Sequence, residues 1–288
     1  MRILDGKKIA ADLRAEARDE IRDGVARGIR PPGLAVILAG DDPASQIYVR
    51  NKRKACEEIG VVSHPFILPN DVSEAEVLKL IAELNARDDI DGILLQLPLP
   101  EGIDSRKCLL AIDPEKDADG FHPVNMGNLA LGLPCLAPCT PAGVMELLER
   151  SGLSVKGKKA VIVGRSDIVG KPLAMMLSRK NVDATVTICH SGTPNLEDEC
   201  RGADFLFLAM GRPEAIVGDM VKDGCVVIDV GINRTPDGLR GDAHFESVSG
   251  KASAITPVPG GVGPMTIAAL MKNAVRAWKK RTGQDTLS

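Results

Sequence analysis

Short, nearly unbroken apolar runs recur along this chain, each separated from the next by a helical pattern. They are "GLAVILAG" (33–40), "DGILLQLPLP" (91–100), "KKAVIVG" (158–164), "ATVTICHS" (184–191), "DFLFLAMG" (204–211) and "CVVIDVG" (225–231). A strand that is apolar on both faces must be covered on both faces. Parallel sheets achieve this with crossover helices, so the runs read as buried strands of parallel sheets and the class is α/β. Aromatic residues make up only 2% of the chain, so the core that covers these strands is aliphatic.

A Pro-, Gly- and Asn-rich stretch, "GFHPVNMGNLALGLPCLAPCTPAG" (120–143), interrupts the alternation and reads as a connection between two domains or the floor of a cleft between them. The expected division is a first domain over 1–139, a Rossmann-type second domain over 140–264, and a final helix over 265–288 that returns to the first. Thr140, followed by Pro141, is a candidate N-cap for the helix that opens the second domain.

Bulk properties exclude several partners. The 288 residues carry a formal net charge of −3, which gives no electrostatic reason to expect nucleic acid. The basic stretch Lys272, Arg276, Lys279, Lys280, Arg281 reads as the solvated face of a helix. No apolar run approaches the roughly 18 residues of a membrane span. Seven cysteines lack a disulfide pattern, and Cys135 and Cys139 have no second pair at metal-ligand spacing, so no metal is expected. Acidic residues among the first twenty argue against a transit peptide, and the expected location is cytoplasmic.

Two regions carry candidate chemistry. In "KKAVIVGRSDIVGKPLAMML" (158–177) a strand, a glycine turn and a helix follow in the order that binds a dinucleotide pyrophosphate. Gly164 fits the first position of G-x-G-x-x-G, Ser166 replaces the second glycine, and Gly170 falls one residue late. A structural turn that needs glycine remains the alternative. The following strand ends in His190 and Ser191 with no acid, and Arg165 stands in the turn; together these favour NADP over NAD. Arg165 could equally be an exposed loop charge.

In "DDPASQIYVRNKRKACEEIG" (41–60), Asp42 as N-cap, Pro43 in the first turn and Gly60 at the end delimit a helix. Tyr48 and Lys52 are spaced i, i+4 and share a face, with Ser45 one turn before. An aromatic ring beside an amine can hold a flat heterocycle, although such a pair is also ordinary surface packing. Gln96 sits inside an apolar strand and needs a polar partner. Asp119 precedes a glycine turn in "KDADGFHPVN". The glycine loop Gly260, Gly261, Gly263, between Pro259 and Pro264, brings backbone close to something or simply turns.

Together "SQIYVRNKRKACEEIG", "QLPLP", "KDADGFHPVNMGNL", "CTPAGV", "VIVGRSDIVGKP", "TVTICHS", "DVGIN" and "TPVPGGVGPMT" resemble, in order and over nearly the whole chain, the bifunctional methylenetetrahydrofolate dehydrogenase/methenyltetrahydrofolate cyclohydrolase family of one-carbon metabolism. The resemblance implies two domains around a cleft, a homodimer, NADP as cofactor and tetrahydrofolate derivatives as substrates. It implies that Lys52 is catalytic, with Gln96 its partner, Tyr48 stacking on the pterin and Asp119 binding the pterin edge. It implies cofactor contacts from Arg165, Ser166, Ser191 and Ile232, and closure of the folate site by Pro259, Gly260 and Gly261. Ala118, before the aspartate, is the one mild variation. A two-domain Rossmann enzyme of the shikimate-dehydrogenase type would account for 158–231 but leaves Tyr48, Lys52 and "PGGVGP" unexplained.

Overall fold

A computed structural model describes residues 1–284, and those residues form ten α-helices and eleven strands. In chain order these are β1 (Arg2–Ile3), α1 (Gly6–Ala26), β2 (Gly33–Ala39), α2 (Pro43–Ile59), β3 (Val62–Leu68), α3 (Glu74–Ala86), β4 (Gly92–Leu95), α4 (Ser105–Leu110), α5 (Pro123–Leu131), α6 (Cys139–Arg150) and β5 (Lys159–Val163). There follow α7 (Gly170–Leu177), β6 (Thr185–Cys189), α8 (Leu196–Arg201), β7 (Phe205–Leu208), β8 (Val226–Asp229), β9 (Asn233–Thr235), β10 (Gly238–Arg240), α9 (Phe245–Ser249), β11 (Ala254–Ile255) and α10 (Val262–Arg281). All six apolar runs form strands.

The chain divides into two compact units. The first holds Met1–Ala10, Leu129–Leu133 and Pro138–Thr266, and is built on a six-stranded parallel sheet in the order β1-β11-β8-β7-β5-β6. The interior strands are buried on both faces, as their unbroken apolar sequences require. From β5 the chain moves to β6 on one side, then crosses back to β7 on the other. This reversal is the topological switch at which open α/β sheets take ligands, beyond the carboxyl ends of the strands. The first ten residues belong here because β1 pairs with β11, Arg2 opposite Ala254; a boundary at 139/140 groups them with the other unit.

The second unit holds Ala11–Asn128, Pro134–Ala137 and, among the described residues, 267–284. Its sheet has the order β3-β2-β4, all parallel, with β2 fully buried at the centre. Residues 116–118 extend this sheet: Ile93 N–H donates to Lys116 O at 2.6 Å and Ala118 N–H to Ile93 O at 3.2 Å. From residue 267 on, α10 is fastened to this unit. Asn273 donates to Ala118 O and Ala137 O at 2.9 and 2.8 Å, and the buried Trp278 donates from Nε1 to Arg30 O at 2.7 Å. Of the final helix expected over 265–288, residues 285–288 lie outside the described residues.

Helix α6 begins at Cys139 with Pro138 as its cap, so Thr140 is not the N-cap; its hydroxyl instead shares a 3.0 Å hydrogen bond with Thr266. Among the described residues, no helix is long and apolar enough to cross a membrane, and no cluster of three His, Cys, Asp or Glu could hold a metal.

Candidate active site and nucleotide turn

In the second unit, the candidate side chains gather at the carboxyl edge of the parallel sheet. Helix α2 follows β2 from that edge. Asp42 caps it by accepting from Ser45 N–H at 2.7 Å, and Gly60 ends it in the left-handed conformation, φ 89°, donating to Cys56 O. Val49, Ala55, Cys56 and Ile59 are buried, and so is Ser45. Tyr48 is 39% exposed and Lys52 half-buried, so both stay reachable from solvent.

Gln96 is the first residue past β4. Its N–H donates to Ile37 O at 2.9 Å and extends the β2–β4 ladder, which fixes its Cα on the rigid sheet. Lys52 Nζ donates to Gln96 Oε1 at 3.2 Å, and Gln96 Nε2 donates to Leu97 O at 2.7 Å. The amide is thereby oriented with its oxygen toward the lysine. A neutral partner positions an ammonium without the stronger hold that a carboxylate would exert. Two residues 44 apart in sequence meet here, the pairing that the resemblance implied.

Asp119 is half-buried and follows directly on the segment that extends the sheet. The two charged residues before it were not singled out from sequence, yet they hold the turn. Lys116 is fully buried and donates from Nζ to the carbonyls of Leu84, Asn85 and Arg87 at 3.1, 2.7 and 2.7 Å. These are carbonyls at the carboxyl end of α3 and its cap, where the helix runs out of N–H donors, and Leu84 O shares its lone pairs between Arg87 N–H and the ammonium; a cation there also complements the helix dipole. Burial lowers the pKa of this ammonium, and Arg281 nearby lowers it further. Asp117, also buried, accepts from Gly120 N–H at 3.2 Å, His122 N–H at 2.7 Å and Asn125 Nδ2 at 2.9 Å. Burial pushes its carboxyl up against these donors, which pull it down. Lys116 and Asp117 are anchors, and Asp119 is the carboxylate they present.

In the first unit, the glycine turn lies at the switch point. Gly164 adopts φ 134°, and a Cβ there would stand 2.2 Å from Ala209 O, so only glycine lets β5 and the end of β7 close. A Cβ on Gly170 would stand 2.0 Å from Gly164 O. The position one residue late is therefore a glycine for a packing reason: a turn longer by one residue folds back on its own start. Ser166 Oγ accepts from Val169 and Gly170 N–H at 3.2 and 3.4 Å, closing that turn from within. Arg165 and Ser166 are exposed.

On the neighbouring strand, Gly164 N–H donates to Cys189 O at 2.8 Å, so the ends of β5 and β6 adjoin. Past β6 the loop closes through His190 N–H to Thr193 Oγ1 at 2.9 Å and Gly192 N–H to His190 Nδ1 at 3.1 Å, leaving Ser191 exposed. His190 is thus engaged in its own loop. Ile232 is 41% exposed just past β8.

The loop 257–261 approaches the start of α1. Lys7 N–H donates to Gly260 O at 3.1 Å, and a Cβ on Gly6 would stand 1.8 Å from Gly261 O. Close approach of backbone is what the glycines signalled, and its partner here is the backbone of Gly6. Pro259 remains exposed.

A parallel sheet with a glycine turn at its switch point in one unit, and a smaller sheet bearing a lysine–amide pair in the other, define the class of two-domain nucleotide-binding α/β enzymes. Comparison with known proteins resolves the class. Residues 4–119 match a family model described as "Tetrahydrofolate dehydrogenase/cyclohydrolase, catalytic domain", and residues 138–282 its "NAD(P)-binding domain". The chain is 66% identical over 284 residues to the "Bifunctional protein FolD" of Desulfovibrio desulfuricans, covering 98% of this chain and 100% of that one. A crystal structure of the bifunctional FolD methylenetetrahydrofolate dehydrogenase/cyclohydrolase of Campylobacter jejuni superposes with a TM-score of 0.95 at 49% identity, covering 98% and 99% of the two chains. The Trypanosoma brucei N5,N10-methylenetetrahydrofolate dehydrogenase-cyclohydrolase, solved with NADP and an inhibitor, gives 0.91 at 39% identity over 96% and 97%. The chain belongs to the tetrahydrofolate dehydrogenase/cyclohydrolase family.

Proposed function

We propose that this chain is a bifunctional enzyme that oxidises 5,10-methylenetetrahydrofolate with NADP and hydrolyses the methenyl product to 10-formyltetrahydrofolate. The observation that carries the reading is the 3.2 Å contact of Lys52 with Gln96 at the carboxyl edge of the smaller sheet. The family likeness supports it over the whole chain.

Tyr48 offers an exposed aromatic face for the pterin, Ser45 lies one turn before it, and Asp119 offers a carboxylate to the pterin's edge. The folate nitrogens stabilise the carbocation that forms when the methylene carbon loses hydride, so the dehydrogenase step asks the protein mainly for alignment. The nucleotide turn fits a dinucleotide, because glycines at 164 and 170 let backbone close where any side chain would intrude. When bound there, the nicotinamide accepts the hydride. Hydrolysis adds water to the methenyl carbon, cleaves a carbon–nitrogen bond and releases a proton. Lys52, steered by Gln96, is the group placed to move that proton.

Gly164, Arg165, Ser166, Ser191 and Ile232 contact the cofactor in this reading, and Pro259, Gly260 and Gly261 contact the folate. NADP is the preferred cofactor: the end of β6 carries His190 and Ser191 and no carboxylate to repel a 2′-phosphate, and Arg165 leaves the adjoining strand end. The working enzyme is a homodimer, as the resemblance implied.

The test is spectrophotometric. Methylenetetrahydrofolate and NADP should give methenyltetrahydrofolate that then decays to the formyl product, with kcat/KM for NADP exceeding that for NAD. Equal or better use of NAD refutes the cofactor assignment, and an absence of methenyl formation refutes the dehydrogenase.

A further inference from the structure

We infer that Asp242, with Asp229 behind it, is the residue that positions the wall of the cofactor crevice formed by the 210–212 loop. Both carboxylates are buried, Asp242 at 0% and Asp229 at 3% exposure, and their hydrogen-bond partners among the described residues are N–H donors of the loops leaving the sheet. Asp242 Oδ2 accepts from Met210 N–H at 2.7 Å and Gly211 N–H at 3.1 Å. Its Oδ1 accepts from Arg212 N–H at 2.8 Å and Asn233 Nδ2 at 2.9 Å. One carboxylate thus gathers three successive amides just past β7 and a side chain just past β8.

Asp229 stands at the end of β8, on the rigid sheet. Its Oδ1 accepts from Gly231 N–H and Asp242 N–H, each at 3.0 Å, and its Oδ2 accepts from Ala243 N–H at 2.8 Å. The order of support runs from sheet to Asp229, to the backbone of 242–243, to the Asp242 carboxylate, to the 210–212 loop. The packing is close enough to demand glycine: a Cβ on Gly231 would stand 2.3 Å from the Asp242 carboxyl, and one on Gly241 2.0 Å from Asp229 Oδ2.

The 210–212 loop matters because of where it sits. Ala209 N–H donates to Val163 O at 2.8 Å, and Ala209 O lies against Gly164, so the loop continues from the strand that flanks the glycine turn at the switch point. Ile232 lies between Gly231 and Asn233, which are both held by the pair. Backbone amides drawn to a buried carboxylate are spent on it and cannot bind the cofactor's phosphates. What they gain is a fixed conformation, including the left-handed Gly211 at φ 66°. Asp242 is a positioning residue, and it touches neither substrate nor the reacting atoms.

This inference rests on the cofactor binding at the β5 turn. The experiment measures wild type first: no cofactor-dependent oxidation means that the functional reading has failed, before the variant is considered. Asp242→Asn then replaces an acceptor oxygen by a donor facing amide N–H groups. The expected result is a KM for NADP raised about tenfold, the scale of one lost hydrogen bond to a charged acceptor, with kcat at saturating NADP falling less. Hydrolysis of supplied methenyltetrahydrofolate, measured without cofactor, should stay near the wild-type rate. A folded variant with unchanged KM for NADP overturns the inference, and so does an equal loss of both activities. If Asp242→Asn does not fold, Asn233→Ala removes one donor from the same carboxylate at a half-buried position. A raised KM for NADP with hydrolysis intact supports the inference there, and an unchanged KM overturns it.

Discussion

On the smaller sheet the candidate groups are side chains that reach solvent: Lys52 and Tyr48 from one face of α2, Gln96 from the end of β4, Asp119 from the turn after residues 116–118. On the larger sheet the corresponding region is mostly backbone, made by glycines whose missing Cβ lets strand ends and turns touch, and steadied by carboxylates that never see water. Each site therefore resists a different kind of substitution. A side-chain site is damaged by removing atoms, and the damage appears in the chemistry. A backbone site is damaged by adding atoms, and the damage appears in folding and binding together.

The largest effect expected from this contrast is at Lys52. Lys52→Met keeps the apolar stem and removes the amine. Cyclohydrolase activity should fall by roughly 10²–10⁴-fold, the range for a general acid–base group, while dehydrogenase activity falls less. Wild-type hydrolysis in the variant removes Lys52 from the chemistry; parallel loss of both activities with folate binding intact breaks the division of labour.

Gly164→Ala adds one carbon to the backbone site. A left-handed φ and a would-be contact of 2.2 Å with Ala209 O together cost roughly 2–5 kcal/mol. Thermal unfolding should show the loss, and cofactor titration of whatever remains folded should show weakened binding. A variant as stable as wild type with full NADP affinity means that the turn tolerates a side chain and is not backbone-built.

Tyr48→Ala should weaken folate binding by roughly 1–3 kcal/mol, taking nucleobase stacking as the measure, with little change in stability because the ring is 39% exposed. Unchanged affinity in a folate titration makes Tyr48 a surface residue only.

The last effect concerns pH. Burial lifts the Asp229 carboxyl to about 7, outweighing the backbone N–H groups that hold its charge. From about pH 4 to 7 the folded chain keeps a proton that the unfolded chain has released, so Asp229's contribution to stability declines as pH rises through that window. The stability gap between wild type and Asp229→Asn should therefore narrow from about pH 5 to 8. A gap that stays constant from pH 5 to 8 shows that the carboxyl is ionised throughout.

The six long apolar runs revealed six strands because a strand covered on both faces has almost no freedom in composition. Strand β3 escaped notice: it carries His64 and Pro65 and pairs only with β2, so its pattern is that of an edge. Strands β1 and β11 are two residues each, too short to leave a period. The caps of α2 were legible because Asp42, Pro43 and Gly60 act locally. The Lys52–Gln96 contact was not legible from spacing and came only through resemblance. In "KDADG", nothing local says that Lys116 and Asp117 face inward and Asp119 is the one presented. That choice is made by carbonyls at the end of α3, some thirty residues earlier. The same holds for Asp229 and Asp242, whose partners lie on three separate loops.

The buried ammonium of Lys116 gives the molecule a built-in clock. An amine that donates to three carbonyls inside the unit is shielded from acylating reagents, whereas surface lysines such as Lys79, 78% exposed, react freely. Its acylation requires those three hydrogen bonds to break and the amine to reach solvent. The rate at which Lys116 takes up label, read by mass spectrometry under native conditions, therefore counts the openings of the unit that carries Lys52 without altering a residue in it.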